Sequence, residues 1–315
     1  MATYFPFLRG KREELFALKH LATRIANSTG AVCPIIEPVK DNGITRSCLE
    51  VYAERKMPFV FITNPLHGDY KGDENTLYAN YTLTGPLADY ETFHPALYVG
   101  RETTVLEANR FVENYKNMPF RAVIYTGEPA DEGVRHWCTT DLGLYYHIAM
   151  DGRVSASFLR NIPQARRVII RDHFNRQERN SDYPASEHFT DWNTTQGNKD
   201  GFAWGDYSIQ GDHYTHDRGG PAYAVTLHHI HRSEDDDSLK ISHYISDDQE
   251  TTANPSGKTI QAVKKLVADL DGLIPNDTVA CATYRDMAES EHARGLGHMK
   301  RLAILHHLEI MLGDE

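Results

Sequence analysis

The stretch YFPFLRGKREELFALK, residues 4–19, runs from an apolar segment into Arg9-Gly10-Lys11 and straight on into a helical pattern. Leu15, Leu18, Leu21, Ala22 and Ile25 continue that pattern at the three- and four-residue spacing of one helix face. A strand that ends in a charged glycine turn and re-enters the chain as a helix is the building unit of a parallel α/β protein.

The unit recurs. Apolar runs stand at 4–8 (YFPFL), 33–39 (CPIIEPV), 58–64 (PFVFITN), 95–100 (PALYVG), 121–127 (RAVIYTG), 145–151 (YYHIAMD), 166–172 (RRVIIRD) and 202–209 (FAWGDYSI). Helical patterns separate them, strongest over 11–27 and weaker over 45–56, 75–90, 102–116, 131–142 and 153–161. Eight such runs alternating with helices match the count of a closed barrel. The expected fold class is α/β, a (β/α)8 TIM-like barrel with a C-terminal β-hairpin and helices appended. An open doubly wound sheet is the alternative. No Gly-x-Gly-x-x-Gly follows a strand, which counts against a dinucleotide-binding version.

The alternation stops after the seventh run. Residues 173–201, HFNRQERNSDYPASEHFTDWNTTQGNKDG, carry no long apolar stripe. They read as a functional loop over the barrel mouth, with His173, Arg176 and Arg179 available for contacts. Residues 219–232 and 238–247, around the acidic turn SEDDD, read as the β-hairpin, and helices follow near 256–271 and 296–312. The expected organisation is a single domain over 1–315, with a barrel core at 1–211 and the appendage at 212–315.

A net charge of −11 argues against extended nucleic-acid binding, though not against a small basic pocket. No apolar run approaches the roughly 18 residues of a membrane span. The amino-terminal MATYFPFLRGKREE lacks a signal-peptide pattern, and Cys33, Cys48, Cys138 and Cys281 form no Cys-x-x-Cys pair. A cytoplasmic protein with reduced thiols and no membrane partner is the expectation.

Barrel enzymes gather their reacting groups at the carboxyl ends of the strands. Arg9 and Lys11 follow the first run, Glu37 and Lys40 end the second, and Asn64 ends the third. Asp151 ends the sixth, Arg171 and Asp172 the seventh, and Asp206 and Tyr207 lie in the eighth. Glu37, Asp172 and Asp206 are the expected catalytic carboxylates, as general acid and base or as ligands of a divalent cation such as Mg2+ or Mn2+. Arg9, Lys11, Lys40, Asn64 and Tyr207 are the expected substrate contacts, since Arg and Lys bind phosphate or carboxylate. The set suits phosphoryl or phosphodiester chemistry, in which positioning and charge stabilisation carry catalysis. Mutually neutralising pairs inside a barrel are the alternative.

Histidine is frequent, at 17 residues. In HHIHR (228–232), strand alternation puts His229 and His231 on one face and His228 on the other, which leaves too few ligands together for a zinc site. One of His306 and His307 is expected to face a helical core, and His67 to lie in a turn. HYTHDRGG (213–220) is a candidate for substrate contact. Gly-x-Ser-x-Gly, Cys–His and P-loop signatures are absent.

YFPFLRGKREELFAL, CPIIEPVK, GFAWGDYSIQG and GGPAYAVTLHHIH followed by ISHYISDD together resemble the phage "beta protein" family. That family is found in phages and in bacterial mobile and defence-associated gene clusters. The resemblance spans residue 4 to about residue 270, and HMKRLAILHHLEIM is similar to the family's C-terminal helix. Arg-Gly-Lys, Glu-Pro-Val-Lys and Gly-Asp-Tyr are its most specific blocks. Where the family has Gly-Phe-Gly-Asp-Tyr, this chain reads Gly201-Phe202-Ala203-Trp204-Gly205-Asp206-Tyr207, a departure just ahead of Asp206. The resemblance implies a barrel-like fold and a phage-defence setting, and it assigns no catalytic residue. Two functions stand as expectations. One is a phosphodiesterase- or nuclease-type hydrolase acting on a small phosphorylated ligand, a nucleotide or a nucleic-acid end. The other is a non-catalytic sensor that binds a nucleotide or a phage protein and signals to a second defence protein.

Overall fold

A computed structural model describes residues 4–28, 30–199, 203–214 and 223–313. Parallel strands β1 (Phe7–Leu8), β2 (Ile35–Ile36), β3 (Phe59–Ile62), β4 (Phe93–Val99), β5 (Arg121–Tyr125), β6 (Leu144–Met150) and β7 (Arg167–Ile170) lie side by side in chain order. A short strand, β8 (Ser186–Thr190), belongs to a different sheet, and β9 (Ala203–Gly205) completes the row of eight. A parallel bridge between Tyr4 and Trp204 brings the last strand back to the first. There the Phe5 N–H donates to Trp204 O at 2.8 Å and the Phe7 N–H to Asp206 O at 2.7 Å. The fold is the expected (β/α)8 barrel.

Gly205 makes that return possible. A Cβ on it would lie 1.9 Å from the Phe5 carbonyl oxygen, so only glycine allows the two strands to approach. Helices α1 (Arg12–Asn27), α2 (Gly43–Glu54), α3 (Glu74–Leu77), α4 (Val105–Asn114), α5 (Glu132–Thr140) and α6 (Ala156–Arg160) follow the strands, and α3 runs on into a π-helical turn at Tyr78–Leu83. Strand alternation sorts the apolar side chains into two layers. On β3, Val60 and Ile62 join the packed barrel interior, while Phe59 and Phe61 join the outer layer with Leu15, Leu18 and Ile25 of α1. All four cysteines are free and buried.

The segment 173–201 departs from its reading as a loop over the mouth. It supplies β8, which pairs antiparallel with β11 (Leu239–Ile245), and then α7 (Trp192–Lys199), which leads back to β9. β11 in turn forms the expected hairpin with β10 (Thr226–Arg232). Few apolar residues mark β8. Its partner edge, far along the chain, selects it. The second sheet therefore draws one strand, β8, from inside the stretch assigned to the barrel core, while all eight barrel strands lie before residue 212.

Three helices close the chain: α8 (Pro255–Asp269), α9 (Val279–Ser290) and α10 (Leu296–Leu312). α9 escaped the sequence reading, although its buried Ala280, Cys281, Tyr284 and Met287 keep helical spacing. α10 is wedged between α1 and β10, and every residue from Leu302 to Ile310 is buried. A helix buried all round shows no polar face. Among the described residues, no helix is long and apolar enough to cross a membrane.

Candidate anion-binding site

Three residues, Arg9 to Lys11, connect β1 to α1. Gly10 has φ +60°, and a Cβ there would lie 2.6 Å from the Glu37 carbonyl oxygen. This turn serves two neighbouring spaces. Arg9 borders both, and Lys11 borders one.

The first space is the barrel mouth, a cavity of about 470 Å³ bordered by Arg9, His67, Tyr98, Asp151, Arg171, Asp172 and Tyr207. Glu37 lies behind Arg9 and is fully buried. It pairs with Arg9 Nη1, while its Oε1 accepts from the backbone N–H groups of Leu66 at 2.8 Å and His67 at 3.2 Å and faces His67 Nδ1 at 3.1 Å. Arg9 Nη2 donates to Asp212 O at 2.7 Å, and the guanidinium lies 5.0 Å from the Phe7 ring centroid and 5.5 Å from that of Tyr207. Burial opposes the charge on Arg9, but the Glu37 carboxylate and the surrounding rings outweigh it and hold the guanidinium above its ordinary range.

Asp172 stands at the rim of the mouth. Its Oδ1 accepts from the Phe174 N–H at 2.9 Å and its Oδ2 from the Asp212 N–H at 2.8 Å. Desolvation raises its carboxyl above the usual range against the pull of those two bonds. Asp151 pairs with Arg171 at 2.5 Å. His67, expected in a plain turn, thus borders the mouth and faces Glu37.

Asp206 is not in the mouth. Along β9 and onward, Ala203 and Tyr207 face the barrel interior, whereas Trp204 joins the outer layer and Asp206 follows it outward. The Asp206 carboxylate accepts from Tyr4 Oη at 2.8 Å and the Ser208 N–H at 2.7 Å, and stands 4.0 Å from His307 of α10. Burial, opposed by His173, Ser208 and Tyr4, pushes it up to about 6. Lys40 is exposed and pairs with Asp69 at 3.0 Å. Asn64 clasps the β4 backbone, accepting from the Tyr98 N–H at 2.7 Å and donating to Tyr98 O at 3.1 Å. Neither borders the mouth. Both His306 and His307, not one of them, are fully buried.

The second space is a cavity of about 290 Å³ enclosed by the β1–α1 turn, the segment after β7, β10 and α10. Arg9, Lys11, Arg176 and Lys300 bring four cationic side chains to its wall, against the acidic Glu14 and Glu178. Arg9 and Lys11 are half-buried, while Arg176 and Lys300 sit at the open rim. Burial, with the nearby charges of Lys300, Arg9 and Arg176, holds the Lys11 ammonium below its ordinary range, and Glu14 only partly offsets this. Glu14 is itself buried, which raises its carboxyl and weakens it as a counter-charge. Lys11 Nζ lies 5.0 Å from the Tyr214 ring centroid, and His213 is on the wall. The remainder of HYTHDRGG, 215–220, lies outside the described residues.

His228 also borders this cavity. Its Nδ1 is 2.8 Å from His243 Nδ1, and His243 Nε2 is 3.1 Å from Glu187 Oε1. Sequence reasoning missed this line, because Glu187 reaches it only through the pairing of β8 with β11. The one available signal was the alternation that set His228 apart from His229 and His231.

Among the described residues, Glu37, Asp172 and Asp206 do not fall together in a group that could hold Mg2+ or Mn2+. Among the described residues, His229, Cys281 and His306 bring their ligand atoms within 4.8 Å of one another, all buried. His306 is engaged by Thr278 Oγ1 at 2.8 Å and Ile230 O at 2.7 Å, and its ring stacks on His229 at 4.0 Å with 17° between planes. A nitrogen lone pair lies in its ring plane, so stacked rings do not aim at a common ion. His229 keeps both ring nitrogens buried without a hydrogen bond.

The chain is thus a (β/α)8 barrel protein with a cation-lined cavity beside its mouth. No family model matches it, and no curated protein or solved structure shows significant similarity to it.

Proposed function

We propose that the protein binds a small phosphorylated molecule, such as a nucleotide, in the 290 Å³ cavity and hydrolyses its phosphate ester. The observation that carries this reading is the convergence of Arg9, Lys11, Arg176 and Lys300 on one space. Like charges held together repel, and a bound anion turns that repulsion into attraction. The volume is near the lower end of the roughly 300–1,000 Å³ of ligand pockets, which suits a small molecule better than a strand. The net charge of −11 points the same way. The resemblance to the phage beta protein family supports a phage-conflict setting.

One observation favours a second reading, a non-catalytic sensor. Glu37 and Asp172 spend their oxygens on Arg9, His67 and backbone N–H groups. A sensor needs complementarity alone.

Calorimetric titration with inorganic phosphate and with nucleotides tests binding, and phosphate release from nucleotides and phosphodiesters tests turnover. Binding that weakens with salt and in Lys300→Glu is expected, with turnover marking the hydrolase and its absence the sensor. No binding of any phosphorylated compound would sink the hydrolase and the nucleotide sensor alike.

A further inference from the structure

We infer that Glu187, His243 and His228 form a proton relay opening on the cation-lined cavity, and that His228 Nε2 exchanges a proton with a phosphorylated ligand bound there. The inference rests on the anion-binding reading of that cavity.

The hydrogen bonds fix the protons in turn. Glu187 Oε1 meets His243 Nε2 at 3.1 Å, and Glu187 Oε2 accepts from Asn175 Nδ2 at 3.0 Å. A carboxylate only accepts, so His243 Nε2 carries the hydrogen. Neutral His243 then presents a bare Nδ1. The facing His228 Nδ1, at 2.8 Å, must supply the proton between them. That leaves His228 Nε2 as the nitrogen with a free lone pair, and it makes no hydrogen bond to a described residue. Phe174 and Tyr183 meet the His228 ring edge-on, at centroid distances of 5.1 and 4.7 Å, and hold its orientation. The line therefore runs from a carboxylate, through two imidazoles of set tautomer, to an unprotonated ring nitrogen of His228, which borders the cavity.

The charges around His228 make this a response to ligand. Burial, then His243 and Lys300, push it down to about 3, so it is neutral in the empty cavity. Lys11, Arg9 and Arg176 add positive charge on the same wall, Glu14 and Glu178 negative charge, and His213 a further imidazole. A bound phosphate reverses the local sign and favours a proton on Nε2.

In hydrolysis, a water oxygen bonds to phosphorus while the bond from phosphorus to the ester oxygen breaks, its electron pair staying on the leaving oxygen. His228 Nε2 takes one proton from that water and passes it to the leaving oxygen. The other proton stays on the released phosphate. A positioned acid–base group contributes about 10²–10⁴-fold. His228 is the catalytic residue in this step; Glu187 and His243 are positioning residues.

The test uses the full chain with 15N-labelled imidazoles and inorganic phosphate as the probe, with 31P signals reporting binding. His228→Asn assigns the resonances. On adding phosphate, the His228 titration is expected to move up by about one pH unit or more. In Glu187→Gln that movement shrinks, while phosphate affinity stays within about twofold, because Glu187 does not border the cavity. Phosphate that binds by 31P while His228 stays unmoved overturns the relay and spares the anion site. A 31P signal that never changes overturns both.

Discussion

Asp206 and Tyr207 are adjacent in sequence and stand on opposite sides of the barrel wall. Tyr207 borders the mouth beneath Arg9, with its hydroxyl 3.1 Å from Met150 Sδ. Asp206 points into the seam where α10 meets the barrel, against Tyr4 and His307. One step along an extended chain moves a side chain from the barrel mouth to packing space.

Asp206→Asn is expected to stabilise the protein at neutral and alkaline pH. Burial raises this carboxyl to about 6, against roughly 3.9 in an unfolded chain. The folded state therefore binds the proton more tightly. Its contribution is fully present below about pH 4 and is lost as pH rises through the folded value, a change on the order of 2–3 kcal/mol. The amide oxygen still accepts from Tyr4 and Ser208. Melting curves of the variant and the parent should converge near pH 4 and separate by pH 8. A constant offset would contradict the assignment.

Arg9 and Glu37 should behave as a structural pair. Glu37→Ala leaves a half-buried guanidinium without its carboxylate and is expected to cost about 3–5 kcal/mol. Replacing both residues with Met should recover most of that loss in urea unfolding. A double variant as unstable as the single would show that Glu37 acts through Leu66 and His67 instead.

Lys11→Met should separate stability from binding. Removing one cation from the crowded wall relieves repulsion and is expected to raise the stability of the ligand-free protein by roughly 0.5–1 kcal/mol. Phosphate affinity should fall about tenfold or more. Thermal melts with and without phosphate measure both. A variant that loses stability yet keeps its affinity would remove Lys11 from the site.

His229→Leu is expected to stabilise by about 1 kcal/mol or more, since two buried ring nitrogens lack partners. A marked loss of stability would mean that those nitrogens hold something, and metal analysis of the parent protein would then show what.

The barrel is readable in the sequence because its signal is local. Most of the apolar runs are nearly continuous, α1 after the first of them has a clear stripe, and Gly10 marks the first turn. Where a strand-end side chain points is less local. It depends on the register of β9, a three-residue strand with little pattern of its own. β8 is weaker still, since its place is decided by the open edge of β11, and with it goes the meeting of Glu187 and His243. Arg9 and Lys11 were legible as cations of the β1–α1 turn because residue type and turn position suffice. That Arg9 borders a second space, and that Lys11 borders that space alone, follows only from where β10 and α10 pack.

α10 gives the cavity a timing. Lys300, Met299 and Ala303 form part of its wall, and they belong to a helix that the ribosome makes after every barrel strand. α10 also packs on the barrel itself, since Ile304, Leu305 and Leu308 share one apolar layer with Leu15, Leu18 and Trp204. The cavity is therefore closed only by the last helix to be made, once α10 lies between α1 and β10.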